Sequence, residues 1–314
     1  DNAADELFTL AAQGLKDRGL YNNKEYRNRF QKEIRVLNEA GLADYFLIVR
    51  DYVNWARDHN IPAEPRGSAG GCLVSYLLRI SQLDPLPPKL IFERFYNDGR
   101  NTKDKVSLPD IDIDFSKNGR KKVINYMSQK YGEDKVCGIA TFNQLKGRGA
   151  LTAVFSAYGN LSFADIKKIT PFIPDPAKVS GELQEDMDAY GESSIIEYAV
   201  EHEKKLHEYC YYNKDGELDG PLAKDFKQAI RLEGTKVHMG KHAAGVIISS
   251  IALSELCPMV IDSKGSSQLC GWEMSAAEKA GLVKFDALGV AVSDKLKAIQ
   301  DLLLTGEMES VDLD

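Results

Sequence analysis

Ser107-Leu108-Pro109-Asp110-Ile111-Asp112-Ile113-Asp114-Phe115 constrains this chain more than any other stretch, because carboxylates and large apolar side chains alternate strictly along it. Side chains of a strand point to opposite faces in turn. The pattern therefore predicts Asp110, Asp112 and Asp114 on one face, with Ile111, Ile113 and Phe115 in a core on the other. Three carboxylates on one side repel each other unless a cation neutralises them. Hard oxygen ligands suit Mg²⁺, which is typically held by one or two carboxylates together with substrate phosphates. A calcium EF-hand loop also opens with this spacing, but it needs Gly at its sixth position and Glu at its twelfth, where this sequence has Phe115 and Lys121. By itself the run leaves open a half-buried strand with an acidic solvent face.

A second stretch, Gly281-Leu282-Val283-Lys284-Phe285-Asp286-Ala287-Leu288-Gly289, bears on that choice. Alternation predicts Leu282, Lys284 and Asp286 on one face and Val283, Phe285 and Ala287 on the other. Taken alone, Lys284 and Asp286 read as an ion pair. If the two strands are neighbours in one sheet, Asp286 becomes a third carboxylate for two metal ions about 4 Å apart, the arrangement used for in-line phosphoryl displacement. One ion would activate the attacking hydroxyl. The other would hold a triphosphate and its leaving pyrophosphate.

Arg66-Gly67-Ser68-Ala69-Gly70-Gly71 precedes an apolar helix predicted over residues 72–78. Small residues before a helix free backbone amides to meet an anion, although they also mark plain tight turns. Neither the Walker loop nor the dinucleotide fingerprint is present. Arg66 and Ser68 add donors suited to a triphosphate. Lys241 and His242, in Gly240-Lys241-His242-Ala243-Ala244-Gly245-Val246, read as supports for the metal strands.

With 314 residues there is room for two domains, and 43% apolar with 28% charged residues is an ordinary globular composition. No apolar run approaches the roughly 18 residues of a membrane span. The N-terminus has no signal-peptide pattern and no initiator methionine, which suggests a piece of a longer protein. Five scattered cysteines without a C-x-x-C pair fit a reducing cytoplasm. A net charge of −7 weighs against nucleic-acid binding by the whole surface, so local clusters must carry any such binding. They are Arg27, Arg29, Lys32 and Arg35; Lys117, Arg120, Lys121 and Lys122; Lys146 and Arg148; and Lys236 and Lys241, each of which also reads as a solvated helix face.

Periodicity predicts two helices within residues 25–59, broken at Gly41, and an extended approach over 61–65. A short helix follows over 90–96 and a polar loop over 97–105. Beyond the acidic strand come a helix over 119–131 and a strand over 136–141. A helical block over 144–231 is punctuated by Pro171, Pro174, Pro176 and Gly216, and strands return at 244–248 and 281–287. The chain thus leaves a mixed domain, builds a helical excursion and comes back.

In sum these residues resemble the palm of the alpha subunit of bacterial DNA polymerase III, the C-family polymerases. The resemblance runs in order through Gly41-Leu42-Ala43-Asp44-Tyr45-Phe46, Arg66-Gly67-Ser68, Phe92-Glu93-Arg94-Phe95, Pro109-Asp110-Ile111-Asp112-Ile113-Asp114-Phe115, Thr141-Phe142, Gly240-Lys241-His242-Ala243-Ala244-Gly245-Val246 and Val283-Lys284-Phe285-Asp286. It implies an α+β fold, a beta-type nucleotidyltransferase palm with an inserted helical thumb. Residues 1–143 and 236–292 would form the palm, 144–235 the thumb that grips primer-template DNA, and 293–314 the start of truncated fingers. Asp110, Asp112 and Asp286 would hold two Mg²⁺ ions, replaceable by Mn²⁺, with Asp114 in support. Arg66, Gly67, Ser68, Arg148 and Lys284 would meet the dNTP.

Three departures suggest a divergent or phage-encoded member: Ala63-Glu64-Pro65 ahead of the arginine, Thr152 where a second cation usually follows Arg148, and an inserted loop over 98–104. Glu64 must point away from a triphosphate. The family's other modules, including fingers and the region that binds a sliding clamp, are outside this sequence, so little or no polymerisation is expected from the piece alone. Two rival readings remain: a non-catalytic palm that holds primer-template or scaffolds a replisome, and a nucleotidyltransferase acting on another acceptor.

Overall fold

A computed structural model describes residues 3–97, 109–190 and 193–305. The inserted loop, Ser107 and Leu108, and the last nine residues lie outside them. The chain forms two compact units, one of Asp1–Thr141 with Lys241–Asp314 and one of Phe142–Gly240.

Along the chain, α1 (Ala3–Asp17), α2 (Lys24–Glu39) and α3 (Ala43–Asp58) come first. Asn23 caps α2 by accepting from the amide of Glu25, and Gly41, at φ +68°, makes the predicted break before α3. Then come β1 (Ala63–Pro65), a 3₁₀ turn over Gly67–Gly71, α4 (Leu73–Leu77), β2 (Asp112–Ser116), α5 (Lys117–Tyr131) and β3 (Val136–Gln144). The excursion holds α6 (Gly147–Tyr158), α7 (Phe163–Ile169), α8 (Ser180–Tyr190), α9 (Ile195–His202), β4 (Tyr211–Tyr212), β5 (Leu218–Asp219) and α10 (Ala223–Leu232). The return comprises β6 (Lys236–Ile248), β7 (Met259–Ile261), β8 (Gln268–Cys270), α11 (Met274–Lys279), β9 (Lys284–Val290) and α12 (Ala291–Thr305).

Seven strands form one sheet in the order β1-β2-β9-β6-β3-β8-β7. It is mixed: β2 runs parallel to β9, while β1 and β6 run antiparallel to their partners β2 and β9. This is the α+β class expected from the sequence. Ile111, Ile113, Phe115, Phe285 and Ala287 are buried, as alternation predicts, and they pack with Phe46, Val49, Tyr52 and Val53 of α3. The Tyr52 ring lies 6.2 Å from that of Phe115 and meets Phe285 edge-on at 6.3 Å. Each fully buried aromatic or branched side chain contributes about 1.5–3 kcal/mol, so this layer fixes both acidic strands to the helices. The second unit has its own core, including Leu151, Phe155, Ile173, Ile196 and Phe226.

Several elements differ from the sequence reading. Strand β2 begins only at Asp112, because Pro109 offers no amide to a ladder and the last bond to the turn is Arg66 N–H to the Asp112 carbonyl, 2.8 Å. Leu282 is not part of β9. Gly281, at φ +84°, ends α11, and Leu282 drops into a small cluster with Cys137, Ile139 and Cys270. Residues 90–96 make only a 3₁₀ turn, Phe92–Arg94. The helical block contains a hairpin, β4–β5, around Gly216, and β6 starts eight residues earlier than its apolar part.

Candidate active site

The parallel pairing of β2 with β9 puts Asp112 directly opposite Asp286. Two strands about 170 residues apart in sequence therefore bring their carboxylates side by side at the centre of the sheet. Gly245 of β6 faces Asp286 from the other side, and a Cβ there would meet the Ile139 methyl at 2.7 Å and the His242 ring at 2.9 Å, so a larger residue would require these side chains to shift. Asp286 is buried, at 6% exposure. Asp110, ahead of the strand, is open to solvent at 70%.

Charge is partly offset by one lysine. The Nζ of Lys284 lies 2.6 Å from Asp286 Oδ2 and 3.8 Å from Asp110 Oδ1. Burial alone would lower its pKa, but the bond to Asp286 and the charges of Asp286 and Asp110 hold it above the ordinary value. The Asp112 carboxyl is pushed up by burial first and then by the charge of Asp286, against the pull of Lys284 and Arg66. A carboxylate in that position is stabilised by any added cation.

Backbone placement is reinforced from α3. The hydroxyl of Tyr45 accepts from the amide of Ile111 at 3.1 Å, between the two acidic positions, and its ring stacks on Phe285 at 5.2 Å. One side chain thus ties both acidic strands to a helix. Sequence reasoning missed this residue, because a tyrosine on the apolar face of a helix looks like any other core residue.

Asp114 and Arg66 form an ion pair at 2.5 Å across β1 and β2. Glu64 is engaged by Gln82 and, at 3.4 Å, by Arg57. Gly67 has φ +70°, which the turn requires. Gly67, Ser68 and Gly71 line a cavity of about 530 Å³ together with Lys89, Leu90, Ile91 and Arg94. Arg94 was noted only as part of the Phe92-Glu93-Arg94-Phe95 stretch and Lys89 not at all, since neither sits near a glycine motif along the chain.

His242 and Lys241 lie on β6. The His242 Nδ1 accepts from the amides of Gly245 at 2.7 Å and Ala244 at 3.3 Å, which leaves the proton of a neutral ring on Nε2. These bonds hold the backbone of β6 where it pairs with β9 at Asp286. Lys241 runs along Gly138 of β3. Arg148 belongs to the second unit, where its Nε donates to the carbonyl of Ile173 at 2.5 Å.

Hard oxygen donors and like-charge crowding make this site chemically suited to a divalent cation. Among the described residues no three His, Cys, Asp or Glu side chains are arranged to hold a metal ion. The ammonium of Lys284 lies between Asp110 and Asp286, so a cation drawn to these oxygens would compete with it.

A mixed sheet that brings carboxylates together on neighbouring central strands beside a glycine turn with cationic walls is the frame of a nucleotidyltransferase. Residues 5–289 match the family model described as the bacterial DNA polymerase III alpha NTPase domain, and the chain belongs to that family. The DNA polymerase III subunit alpha of Aquifex aeolicus is 37% identical over 95% of this chain, that of Deinococcus radiodurans 39% over 83%, and that of Escherichia coli 34% over 91%. The matched stretch spans 26%, 18% and 23% of those relatives. Among the described residues no helix is long and apolar enough to cross a membrane.

Proposed function

We propose that this chain is the palm and thumb region of a DNA-directed DNA polymerase, which transfers a deoxynucleotidyl group from a dNTP to a primer 3′-hydroxyl and releases pyrophosphate. The observation that carries the reading is the register of Asp112 against Asp286. Asp110, Asp112 and Asp286 would hold Mg²⁺, which when bound supplies charge neutralisation for the attacking and leaving oxygens. The rest is positioning by the chain itself. Tyr45 and the β1–β2 pairing keep the carboxylates in place, Gly67 and Ser68 offer amide and hydroxyl donors to phosphate oxygens, and Arg66, Lys89 and Arg94 supply positive charge beside them. Lys284 moves from its carboxylates to a phosphate oxygen. The unit Phe142–Gly240 serves as the thumb. Primer-template DNA, dNTP, further polymerase domains and a sliding clamp are the corresponding partners.

Mn²⁺ titration followed by electron spin resonance, alongside primer extension, tests this. Asp112→Asn and Asp286→Asn should each weaken metal binding at least tenfold. Undiminished binding in both variants would discard the reading. The position of Lys284 among the carboxylates favours one rival, a palm retained only to hold primer-template. Primed DNA bound with equal affinity with and without metal and dNTP would support it.

A further inference from the structure

Away from the acidic strands, the first unit contains a cavity of about 330 Å³ lined by Arg18, Arg57, Tyr76, Arg79, Ser81 and Gln82. Three guanidinium groups share its wall. Arg18 stacks on the Tyr76 ring, 4.0 Å from its centroid, and donates to the Tyr76 carbonyl at 2.6 Å. Its Nε is buried and has no hydrogen-bond partner. A buried donor without an acceptor calls for an explanation, and an absent anion is one.

Arg57 is only 11% exposed. It bonds the carbonyls of Ala63 and Ile80, and burial lowers its pKa. Glu64 opposes that shift, and the charges of Arg79 and Arg18 add to it. Arg79 is one of three non-glycine residues with positive φ among those described, at +59°. It stands just past the end of α4, where the amides of Arg79 and Ile80 bond the carbonyls of Tyr76 at 3.1 Å and Ser75 at 2.9 Å, and this helix end points its side chain at the cavity wall. The acids nearby are Asp58, 3.2 Å from Arg79, and Glu64, 3.4 Å from Arg57, and each is at least half exposed. Positive charge inside the cavity is therefore only partly offset, and from its rim.

We propose that this cavity is a binding site for a phosphate-class oxyanion, seated against the Arg18 and Arg79 guanidinium groups, with the Ser81 hydroxyl as a third donor. A tetrahedral oxyanion presents enough lone pairs to satisfy donors from several directions, and guanidinium forks match its geometry. The site is separate from the glycine turn but linked to it through Arg57 and Gln82, both of which bond Glu64 on β1.

The test titrates this chain with inorganic phosphate and with pyrophosphate, at ionic strength matched by chloride, and follows the thermal unfolding midpoint and binding heat. A saturable rise in midpoint is expected, with affinity reduced at least tenfold in Arg79→Gln. Arg18→Lys keeps the charge but removes the Nε donor, and should weaken binding similarly while leaving the circular dichroism spectrum unchanged. Arg66→Gln, which disables the glycine-turn site, should leave the affinity intact. No saturable effect, equal affinity in Arg79→Gln, or loss in Arg66→Gln would each overturn the proposal. A 5′-phosphorylated oligonucleotide that displaces pyrophosphate would identify a terminal nucleic-acid phosphate as the source, and failure to displace it a free oxyanion. Both outcomes support the pocket.

Discussion

Among the described residues of the first unit two carboxylates are buried, and their surroundings are opposites. Glu33 is 0% exposed and its oxygens are met by Arg29 Nε at 2.5 Å, the Val74 amide at 3.0 Å and the Cys72 thiol at 3.3 Å. Burial still pushes its pKa up, but every neighbour that touches it is a donor. Asp286 is nearly as buried, yet among the described residues Lys284 alone donates to it, and Asp112 and Asp110 stand beside it with charge of the same sign. The first arrangement is closed and holds structure. Through Arg29, which also donates to the carbonyls of Gly71 at 2.8 Å and Leu90 at 3.1 Å, Glu33 anchors the base of the glycine turn. The second is short of positive charge, as expected of a site completed by a ligand.

The sharpest way to break this contrast is to neutralise one carboxylate in each place. Asp286→Asn and Asp112→Asn should lower nucleotidyl transfer at least a thousandfold when measured in the complete polymerase, about 4 kcal/mol of transition-state stabilisation. Their circular dichroism spectra should match the parent. If either variant keeps a tenth of the parent rate, the acidic strands are not the reacting site.

Glu33→Ala should do the reverse. Removing one partner of a buried pair leaves the Arg29 Nε and the Val74 amide without an acceptor, a loss of about 3 kcal/mol in urea unfolding. Glu33→Gln should lose less, since its amide oxygen can still accept. A parent-like midpoint for Glu33→Ala would show that the closed arrangement contributes nothing net.

Much of the open site was legible from alternation alone, because a period of two assigns each residue of a strand to a face. Asp112, Asp114, Asp286 and their apolar alternates could be placed before any coordinates. The position of Asp110 could not, since that depends on where pairing stops. Tyr45 was hidden among core residues, while Lys89 and Arg94 reach the glycine turn only through a return of the chain. The closed site left no signal either: Arg29 and Glu33 lie at i and i+4 on α2, a spacing that reads as an exposed helix pair until α4 covers it. Strands β7 and β8, three residues each, are too short to show any period.

The smallest effect concerns acid dependence, and its sign follows from the raised pKa of Asp112. A carboxyl that holds its proton more tightly folded than unfolded makes the native state bind more protons, from the ordinary aspartate value of about 3.9 up to the raised value. Stability therefore falls as pH rises through that window, and the cost persists at neutral pH. Glu33 produces a slope of the same sign, but it is present in parent and variant alike and cancels in their difference. Asp112→Asn should thus flatten part of the parent's slope and leave the variant a few tenths of a kcal/mol more stable at pH 7, a small gain because solvent screens a half-exposed group. Urea midpoints collected from about pH 4 to 7 would show it, and Mg²⁺ should stabilise the parent towards the variant by offsetting the same repulsion. Parallel curves for the two proteins would mean that neither burial nor the charge of Asp286 raises the Asp112 carboxyl in the folded chain.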